Sequence, residues 1–229
     1  MTKPTRAVRA VLFDLDGTLV DSEPNYLEAD RLLLAGYGVA FTEELKRRYV
    51  GYGNAAMMEE FHERFRLPDG PGLLLAKKNA LYLDLARRNT LLFPEMARLL
   101  PELKGRGISL AVASGSSPAV IEEIVAQVGI SAFFDLLLSS EEVPRPKPAP
   151  DIFLEAARRL GCPPSSALVV EDSAHGVEAA LAAGMAVVAV PTLAPSRGDV
   201  FYRAHRLFEG GMADFTARAF LEWLDGADR

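Results

Sequence analysis

The chain is organised around the sequence VLFDLDGTL, residues 11–19. An apolar run over residues 7–13 predicts a buried strand, which ends in two carboxylates, Asp14 and Asp16, directly before a Gly-Thr turn. Residues two apart on a strand share a face, so both carboxylates are expected to point into one crevice. Like charges this close favour a cation between them. The stretch therefore predicts a metal site at a strand end, although Asp and Gly are also common in ordinary turns.

Composition limits what the protein can be. The 229 residues are 49% hydrophobic and 24% charged, which is typical of a globular chain with one large core or two unequal domains. The net charge of -6 argues against nucleic-acid binding. The sequence shows no secretory segment and no apolar stretch of about 18 residues that would span a bilayer. With a lone cysteine, Cys162, these features predict a cytoplasmic protein that binds neither nucleic acid nor membrane. We expect a monomer or weak homo-oligomer, although the sequence carries no signal for the oligomeric state.

Residues 22–93 carry helical signals and few β-branched side chains. The spacing of apolar residues, with turn signals between them, predicts helices from residue 22 to 35 and over 42–49, 54–65 and 71–89. An insertion of roughly 70 helical residues directly after the first strand is too long for a loop. We therefore expect a separate helical domain at 22–93.

From Pro94 onward, strand and helix signals alternate. Strands are predicted over 108–113, 133–139, 167–170 and 185–190, with helices between them, a loop over 191–212 and a last helix over 213–225. This alternation predicts an α/β domain, residues 1–21 and 94–229, built on a doubly wound parallel sheet. Ligands of such sheets bind outside the carboxyl ends of the strands.

Polar residues follow three of these strands. Ser114–Ser117 follow the strand at 108–113, Lys147 lies in a short loop after the next strand, and Glu171 and Asp172 follow the strand at 167–170. Each has a simpler explanation: a helix cap for the serines and for the acidic pair, and a solvated charge in a proline-rich loop for the lysine. Together with the two aspartates of the first strand, they favour one active site at this edge.

These signals closely resemble the motifs of the haloacid dehalogenase-like superfamily, in the form used by its phosphotransferases. The resemblance covers about residues 7 to 190, with Ser114 in the second motif, Lys147 in the third and Glu171-Asp172 in the fourth. Residues 22–93 are similar to the helical cap domain of the subgroup that contains beta-phosphoglucomutase and small-molecule phosphatases.

The resemblance implies roles for the charged residues. Asp14 would be the nucleophile that forms an aspartyl-phosphate, Asp16 the acid and base, and Lys147 would balance negative charge. A carboxylate attacks a phosphate dianion only if their repulsion is cancelled, which Mg²⁺ does. By resemblance, its ligands are the Asp14 side chain, the Asp16 backbone carbonyl and Asp172, with Glu171 close by.

The remaining candidates bind substrate. The Ser114 hydroxyl and the backbone N–H groups of Gly115 and Ser116 would hold the phosphoryl oxygens near a helix start. A cap of this size is expected to close over the core and favour small substrates. The candidates in the cap are Tyr26, Tyr52, Asn54 and Lys78.

Two activities compete within the resemblance. Mutases of this subgroup carry a histidine in the first cap helix and an arginine in the cap loop, whereas this chain has Asn25 and Tyr26 near the first position and Gly51–Asn54 in the loop. Lys78 does fall near a lysine of the mutases. We therefore expect an Mg²⁺-dependent phosphatase of a small phosphomonoester, such as a sugar phosphate. The alternatives are a mutase of the beta-phosphoglucomutase type and a non-catalytic small-molecule binder.

Overall fold

The computed structural model describes residues 7–42, 44–45, 48, 54–192, 195 and 199–226. The chain divides into two compact units, one formed by Met1–Asp21 with Leu91–Arg229 and the other by Ser22–Thr90. Half of the predicted helix at 42–49 (residues 43, 46, 47 and 49) and the turn at 51–53 lie outside the described residues.

The described elements follow in chain order. The strands are β1 (Ala10–Phe13), β2 (Val20–Asp21), β3 (Leu91–Leu92), β4 (Ser109–Ser114), β5 (Leu136–Ser139), β6 (Ala167–Glu171), β7 (Ala186–Ala189) and β8 (Arg206–Leu207). The helices are α1 (Glu23–Ala35), α2 (Asn54–Phe65), α3 (Pro71–Asn89), α4 (Pro94–Gly105), α5 (Pro118–Gln127), α6 (Asp151–Arg159), α7 (Ala174–Ala182) and α8 (Ala217–Asp225).

The larger unit contains a six-stranded sheet in the order β5-β4-β1-β6-β7-β8, and every neighbouring pair is parallel. This confirms the predicted doubly wound sheet. The central strand β1 is fully buried, and Phe13 lies opposite Val112 of β4 on one side and Val170 of β6 on the other. The chain leaves β1 toward β4 and later returns to its other side as β6. The carboxyl end of β1 is therefore the switch point at which such sheets bind ligands.

Apolar side chains from the strands and helices of this unit form its core. Leu12 and Val169 belong to one buried cluster with Phe153 of α6 and Val177 of α7, and all four side chains are fully buried. Burial of each large apolar side chain contributes about 1.5–3 kcal/mol. This packing fixes the strands, and with them the residues at their carboxyl ends.

The structure corrects two predictions on the C-terminal segment. Residues 191–212 were expected to form a loop, but they contain β8, which pairs with Val188 and Ala189 of β7. A strand of two residues is too short to produce a periodic pattern. The last helix begins at Ala217, not at residue 213, because the Thr216 hydroxyl accepts a hydrogen bond from the Ala219 N–H and caps the helix there.

The boundary between the units also differs from the prediction. The helical unit ends at Thr90, whereas residues 22–93 were expected. The reason is that Leu91–Leu92 pairs antiparallel with Val20–Asp21 and so belongs to the larger unit. Within the described part of the chain, no helix has the length and apolarity that a membrane span requires.

The helical unit contains α1, α2 and α3, and its apolar core includes Leu34, Phe61 and Leu74, all fully buried. An ion pair also lies inside it. Lys78 is 1% exposed, and its Nζ lies 2.7 Å from Asp30 Oδ1 and donates to Asn54 Oδ1 at 2.8 Å. Burial lowers the pKa of Lys78 and raises that of Asp30, and each charge partly offsets the effect on the other. Both groups are therefore costly to bury alone.

The substitution Lys78→Met is expected to lower the free energy of unfolding by about 3–5 kcal/mol, because it leaves the Asp30 carboxylate buried without its cation. Adding Asp30→Leu should recover most of this loss. Chemical denaturation of both variants measures the effect. The matched control is Arg88→Met, whose partner Asp84 is exposed and whose effect should stay below about 1 kcal/mol. Equal effects in Lys78→Met and Arg88→Met would contradict the structural role of the buried pair.

Candidate active site

A lysine and two carboxylates meet at the carboxyl ends of the central strands. Asp14 follows β1, and Glu171 is the last residue of β6. The Lys147 Nζ lies 2.6 Å from Asp14 Oδ1 and 2.6 Å from Glu171 Oε1, and it also donates to the Ala113 carbonyl at 3.0 Å. Glu171 is fully buried and Asp14 nearly so. The structure thus brings together three of the residues that the sequence assigned to one site.

Charge is unbalanced in this cluster. Burial raises the pKa of Asp14 well above its usual range, and the positive charge of Lys147 opposes that rise. The carboxylates of Glu171 and Asp172 raise it further. Burial alone would lower the pKa of Lys147, but its ion pairs with Asp14 and Glu171 raise it above its ordinary value. Lys147 therefore stays protonated at neutral pH, with one positive charge against several carboxylates.

Glu171 is held toward Lys147 by the residues that follow it. Its Oε2 accepts hydrogen bonds from the Ser173 N–H at 2.8 Å and from the Ser173 hydroxyl at 2.9 Å. The Ser173 hydroxyl in turn accepts from the Gly176 N–H at 3.0 Å and so caps α7. Glu171, which the resemblance placed near the metal, thus has both carboxylate oxygens engaged by protein donors.

Gly176 leaves no room for a side chain beside this carboxylate. A Cβ at residue 176 would lie 1.8 Å from Glu171 Oε1. We expect Gly176→Ala to displace Glu171 and with it Lys147, lowering turnover by roughly 10²-fold, the scale of a 1 Å misplacement. Overpacking should also lower the free energy of unfolding by about 1–3 kcal/mol, despite the better helix propensity of Ala.

The matched control is Gly105→Ala at the end of α4, where an added Cβ meets nothing within 4 Å. Steady-state kinetics and chemical denaturation compare the two variants. A Gly176→Ala protein as active and as stable as Gly105→Ala would show that the tight contact with Glu171 is unimportant.

Asp172 borders the same edge. Its Oδ1 accepts from the Thr18 hydroxyl at 3.2 Å and its Oδ2 from the Thr192 hydroxyl at 2.5 Å. Burial and the neighbouring charge of Glu171 raise the pKa of Asp172 to about 7, against the effect of its hydroxyl partners. Gly17 has a φ of 75°, and a Cβ there would lie 2.4 Å from Asp172 Oδ2. Glycine is therefore required where the turn after β1 passes this carboxylate.

The loop after β4 reaches the second aspartate. The Ser116 hydroxyl donates to Asp16 Oδ2 at 2.9 Å, and the Ser116 N–H donates to Ser114 Oγ at 3.0 Å. The Ser114 side chain is buried. Its oxygen accepts from the Ser116 amide, so its own proton can be donated elsewhere. The assignment of Ser114, Gly115 and Ser116 to a phosphoryl group stays a prediction.

The donor set fits a cation. Asp14 and Asp172 are hard oxygen ligands of the kind that Mg²⁺ prefers, and burial beside other carboxylates raises the pKa of both. An added positive charge would relieve that repulsion. In the part of the chain that the structure describes, no three His, Cys, Asp or Glu side chains are grouped as a ready-made metal centre. A metal held by Asp14 and Asp172 would take its remaining ligands from a backbone carbonyl and water.

The cap candidates lie in the helical unit. Tyr52 falls outside the described residues. Lys78 and Asn54 bind each other, and the Tyr26 ring stacks on that of Tyr82 at 4.0 Å. These contacts were not predicted, and the role of the four candidates in substrate binding stays a prediction.

Two residues that support the site, Ser139 and Gly176, were not predicted from the sequence. The Ser139 signal was readable, because Ser139 and Glu142 have the S-x-x-E spacing of a capping box, which the structure contains. Gly176 carried no comparable signal, since its contact with Glu171 depends on packing.

Residues 8–184 match the haloacid dehalogenase-like hydrolase family. This is well over half of the chain, and the chain belongs to that family. The match confirms the resemblance seen in the sequence, and with the phosphatases below it confirms the predicted enzyme class, a hydrolase of phosphoric monoesters.

Curated relatives of the chain include proteins named as phosphatases. The chain is 32% identical to a phosphorylated carbohydrates phosphatase of Thermotoga maritima, over 78% of this chain and 82% of the relative. It is 34% identical to a probable pseudouridine-5'-phosphatase of Drosophila melanogaster, over 95% of this chain and 96% of the relative. Among solved structures, a putative beta-phosphoglucomutase from Thermotoga maritima aligns with a TM-score of 0.77 and 27% identity, covering 96% of this chain and 98% of that chain.

Proposed function

We propose that this protein is an Mg²⁺-dependent phosphatase that hydrolyses a small phosphomonoester through an aspartyl-phosphate on Asp14. The observation that carries the proposal is the position of Asp14 at the switch point of the sheet, with the Lys147 ammonium 2.6 Å from its Oδ1. A buried carboxylate beside a fixed cation can approach a phosphate dianion, which an isolated carboxylate would repel.

The residues divide the reaction into two steps. An Asp14 oxygen attacks phosphorus, and the bond from phosphorus to the alcohol oxygen breaks as Asp16 gives that oxygen a proton. Asp16 then takes a proton from water, whose oxygen attacks the aspartyl-phosphate and releases inorganic phosphate and the free Asp14 carboxylate. Acid–base action of this kind contributes about 10²–10⁴ in rate.

The remaining groups hold charge in place. The Ser114 hydroxyl and the Gly115 N–H would bind phosphoryl oxygens, and Lys147 would neutralise charge on Asp14 and the phosphate. When bound, Mg²⁺ supplies charge neutralisation at the phosphate, and the Asp14 and Asp172 side chains with the Asp16 carbonyl would hold it.

Relatives support a small phosphorylated metabolite as the substrate, since their names specify phosphorylated carbohydrates and pseudouridine 5'-phosphate. The structural likeness to a putative beta-phosphoglucomutase supports a mutase as the second candidate. Hydrolysis is favoured because Lys78, which falls near a lysine of the mutases, is 1% exposed and paired with Asp30 inside the helical unit. The predicted cytoplasmic location and oligomeric state stay predictions.

A panel of phosphate esters tests the proposal, with and without Mg²⁺. We expect the protein to release phosphate from small esters. Chelation should lower the rate of phosphate release by at least about 10²-fold, and added Mg²⁺ should restore it. Full activity after exhaustive chelation would contradict the metal requirement. In parallel, the conversion of glucose 1-phosphate is followed by NMR in the presence of a catalytic amount of glucose 1,6-bisphosphate. Accumulation of glucose 6-phosphate faster than phosphate release would favour the mutase.

A further inference from the structure

Ser139, the last residue of β5, is fully buried, and both its backbone N–H and its hydroxyl form hydrogen bonds. Its N–H donates to Glu142 Oε1 at 3.1 Å, and its hydroxyl accepts from the Glu141 N–H at 3.1 Å. These two bonds cap the short turn at 140–142. The Ser139 hydroxyl also donates a hydrogen bond, at 2.7 Å, to the carbonyl of Ser116, which lies in the loop after β4. The cap does not need this last bond.

Ser116 is thereby fixed from two sides. Its carbonyl accepts from Ser139, and its N–H donates to Ser114 Oγ at 3.0 Å. Because its backbone N–H and carbonyl both form hydrogen bonds, the backbone of Ser116 is held in one position, and so is the origin of its side chain. Its hydroxyl reaches Asp16 Oδ2 at 2.9 Å. A continuous chain of hydrogen bonds thus runs from the end of β5 to the second aspartate.

We infer that Ser139 is a positioning residue for the acid–base carboxylate of Asp16 and acts through Ser116. The inference rests on the proposed function, in which Asp16 gives a proton to the leaving oxygen and later takes one from water. Both transfers need a carboxylate held in one orientation, since proton transfer depends on hydrogen-bond geometry. The Ser116 hydroxyl supplies that orientation at Oδ2, and Ser139 holds the loop that carries the hydroxyl.

The pairing of the strands does not explain the Ser139 contact. Ser114 and Ser139 already face each other in the parallel register of β4 and β5. The bond to Ser116 reaches beyond that register into the loop. A purely structural serine would affect all substrates equally, whereas a residue that positions the proton donor affects those that need a proton.

The test compares two leaving groups. p-Nitrophenolate departs without protonation, whereas an alkoxide requires it, so p-nitrophenyl phosphate is paired with the alkyl phosphate that wild type hydrolyses fastest. The measured quantity is leaving-group release in a single turnover. We expect Ser116→Ala to slow alcohol release by about 10–100-fold and p-nitrophenol release by less than about threefold. Ser139→Ala should show the same selectivity, at about tenfold.

Two further variants separate positioning from folding. Glu142→Ala removes the hydrogen bond from the Ser139 N–H to the Glu142 carboxylate but keeps the Ser139 hydroxyl. This variant should release both leaving groups at wild-type rates. The double variant Ser116→Ala/Ser139→Ala should be no slower than Ser116→Ala, because both serines act through one contact. If Ser139→Ala does not fold, Ser139→Cys keeps the shape of the side chain at a somewhat larger volume and replaces the hydroxyl with a weak donor.

Equal losses for both esters in the serine variants would overturn the inference while the proposed function stands. So would wild-type rates of alcohol release in Ser116→Ala. A wild-type protein that hydrolyses neither ester would overturn the proposed function, and the inference with it.

Discussion

The substitution Asp14→Asn is expected to lower hydrolysis of every phosphomonoester by at least about 10⁴-fold, the scale seen when a covalent nucleophile is removed. An amide has nearly the same volume as the carboxylate but cannot attack phosphorus. The fold should be retained, because Lys147 keeps its ion pair with Glu171. The free energy of unfolding should not fall by more than about 1 kcal/mol, since the change also removes repulsion among buried carboxylates.

Phosphate release and chemical denaturation measure both effects. Asp14→Ala accompanies the amide, because deamidation of Asn would restore the native residue. Asp84→Asn on the exposed face of α3 is the matched control and should behave as wild type. Substantial activity in Asp14→Ala would show that the assigned nucleophile is wrong.

The substitution Lys147→Met should abolish turnover and also destabilise the protein, unlike Asp14→Asn. Lys147 is the ion-pair partner of both Asp14 and Glu171, and its side chain is 10% exposed. Its loss leaves two buried carboxylates unpaired, at a cost of about 3–5 kcal/mol. Adding Asp14→Asn to Lys147→Met should recover part of that stability but none of the activity.

Chemical denaturation at neutral pH measures this cost, with Lys104→Met as the control. Lys104 pairs with Asp135 at 2.8 Å at a partly exposed position, so its loss should cost less than about 1 kcal/mol. Equal stability of the two lysine variants would contradict the role of Lys147 as the cation that stabilises the buried carboxylates of Asp14 and Glu171.

Much of the fold was readable because it depends on local periodicity. The predicted helices at 54–65 and 71–89 agree with α2 and α3 to the residue, since turn signals at 51–53 and 68–70 precede them. Features that depend on pairing with distant strands were not readable. Two-residue strands such as β8 and β3 exist only through their partners, Val188–Ala189 and Val20–Asp21.

The site divides in the same way. Asp14 and Lys147 are 133 residues apart, yet both were assigned to one edge because each follows a predicted strand of the same sheet. The contact of Gly176 with Glu171 could not be predicted, since nothing in the sequence reports how closely a helix start approaches a carboxylate. The ion pair of Lys78 with Asp30 in the helical unit could not be predicted either, because it depends on how the helices pack.

The proposed hydrolysis requires that Asp14 becomes phosphorylated during turnover. Its most direct test mixes the protein with excess substrate ester and Mg²⁺, quenches in acid within the first turnovers, and analyses peptides by mass spectrometry. We expect a phosphoryl group on the peptide that contains Asp14. It should be absent from Asp14→Ala and lost on mild alkaline treatment, as is usual for an acyl phosphate. Rapid ester hydrolysis with no phosphorylated peptide, or with the phosphoryl group on another residue, would contradict this expectation.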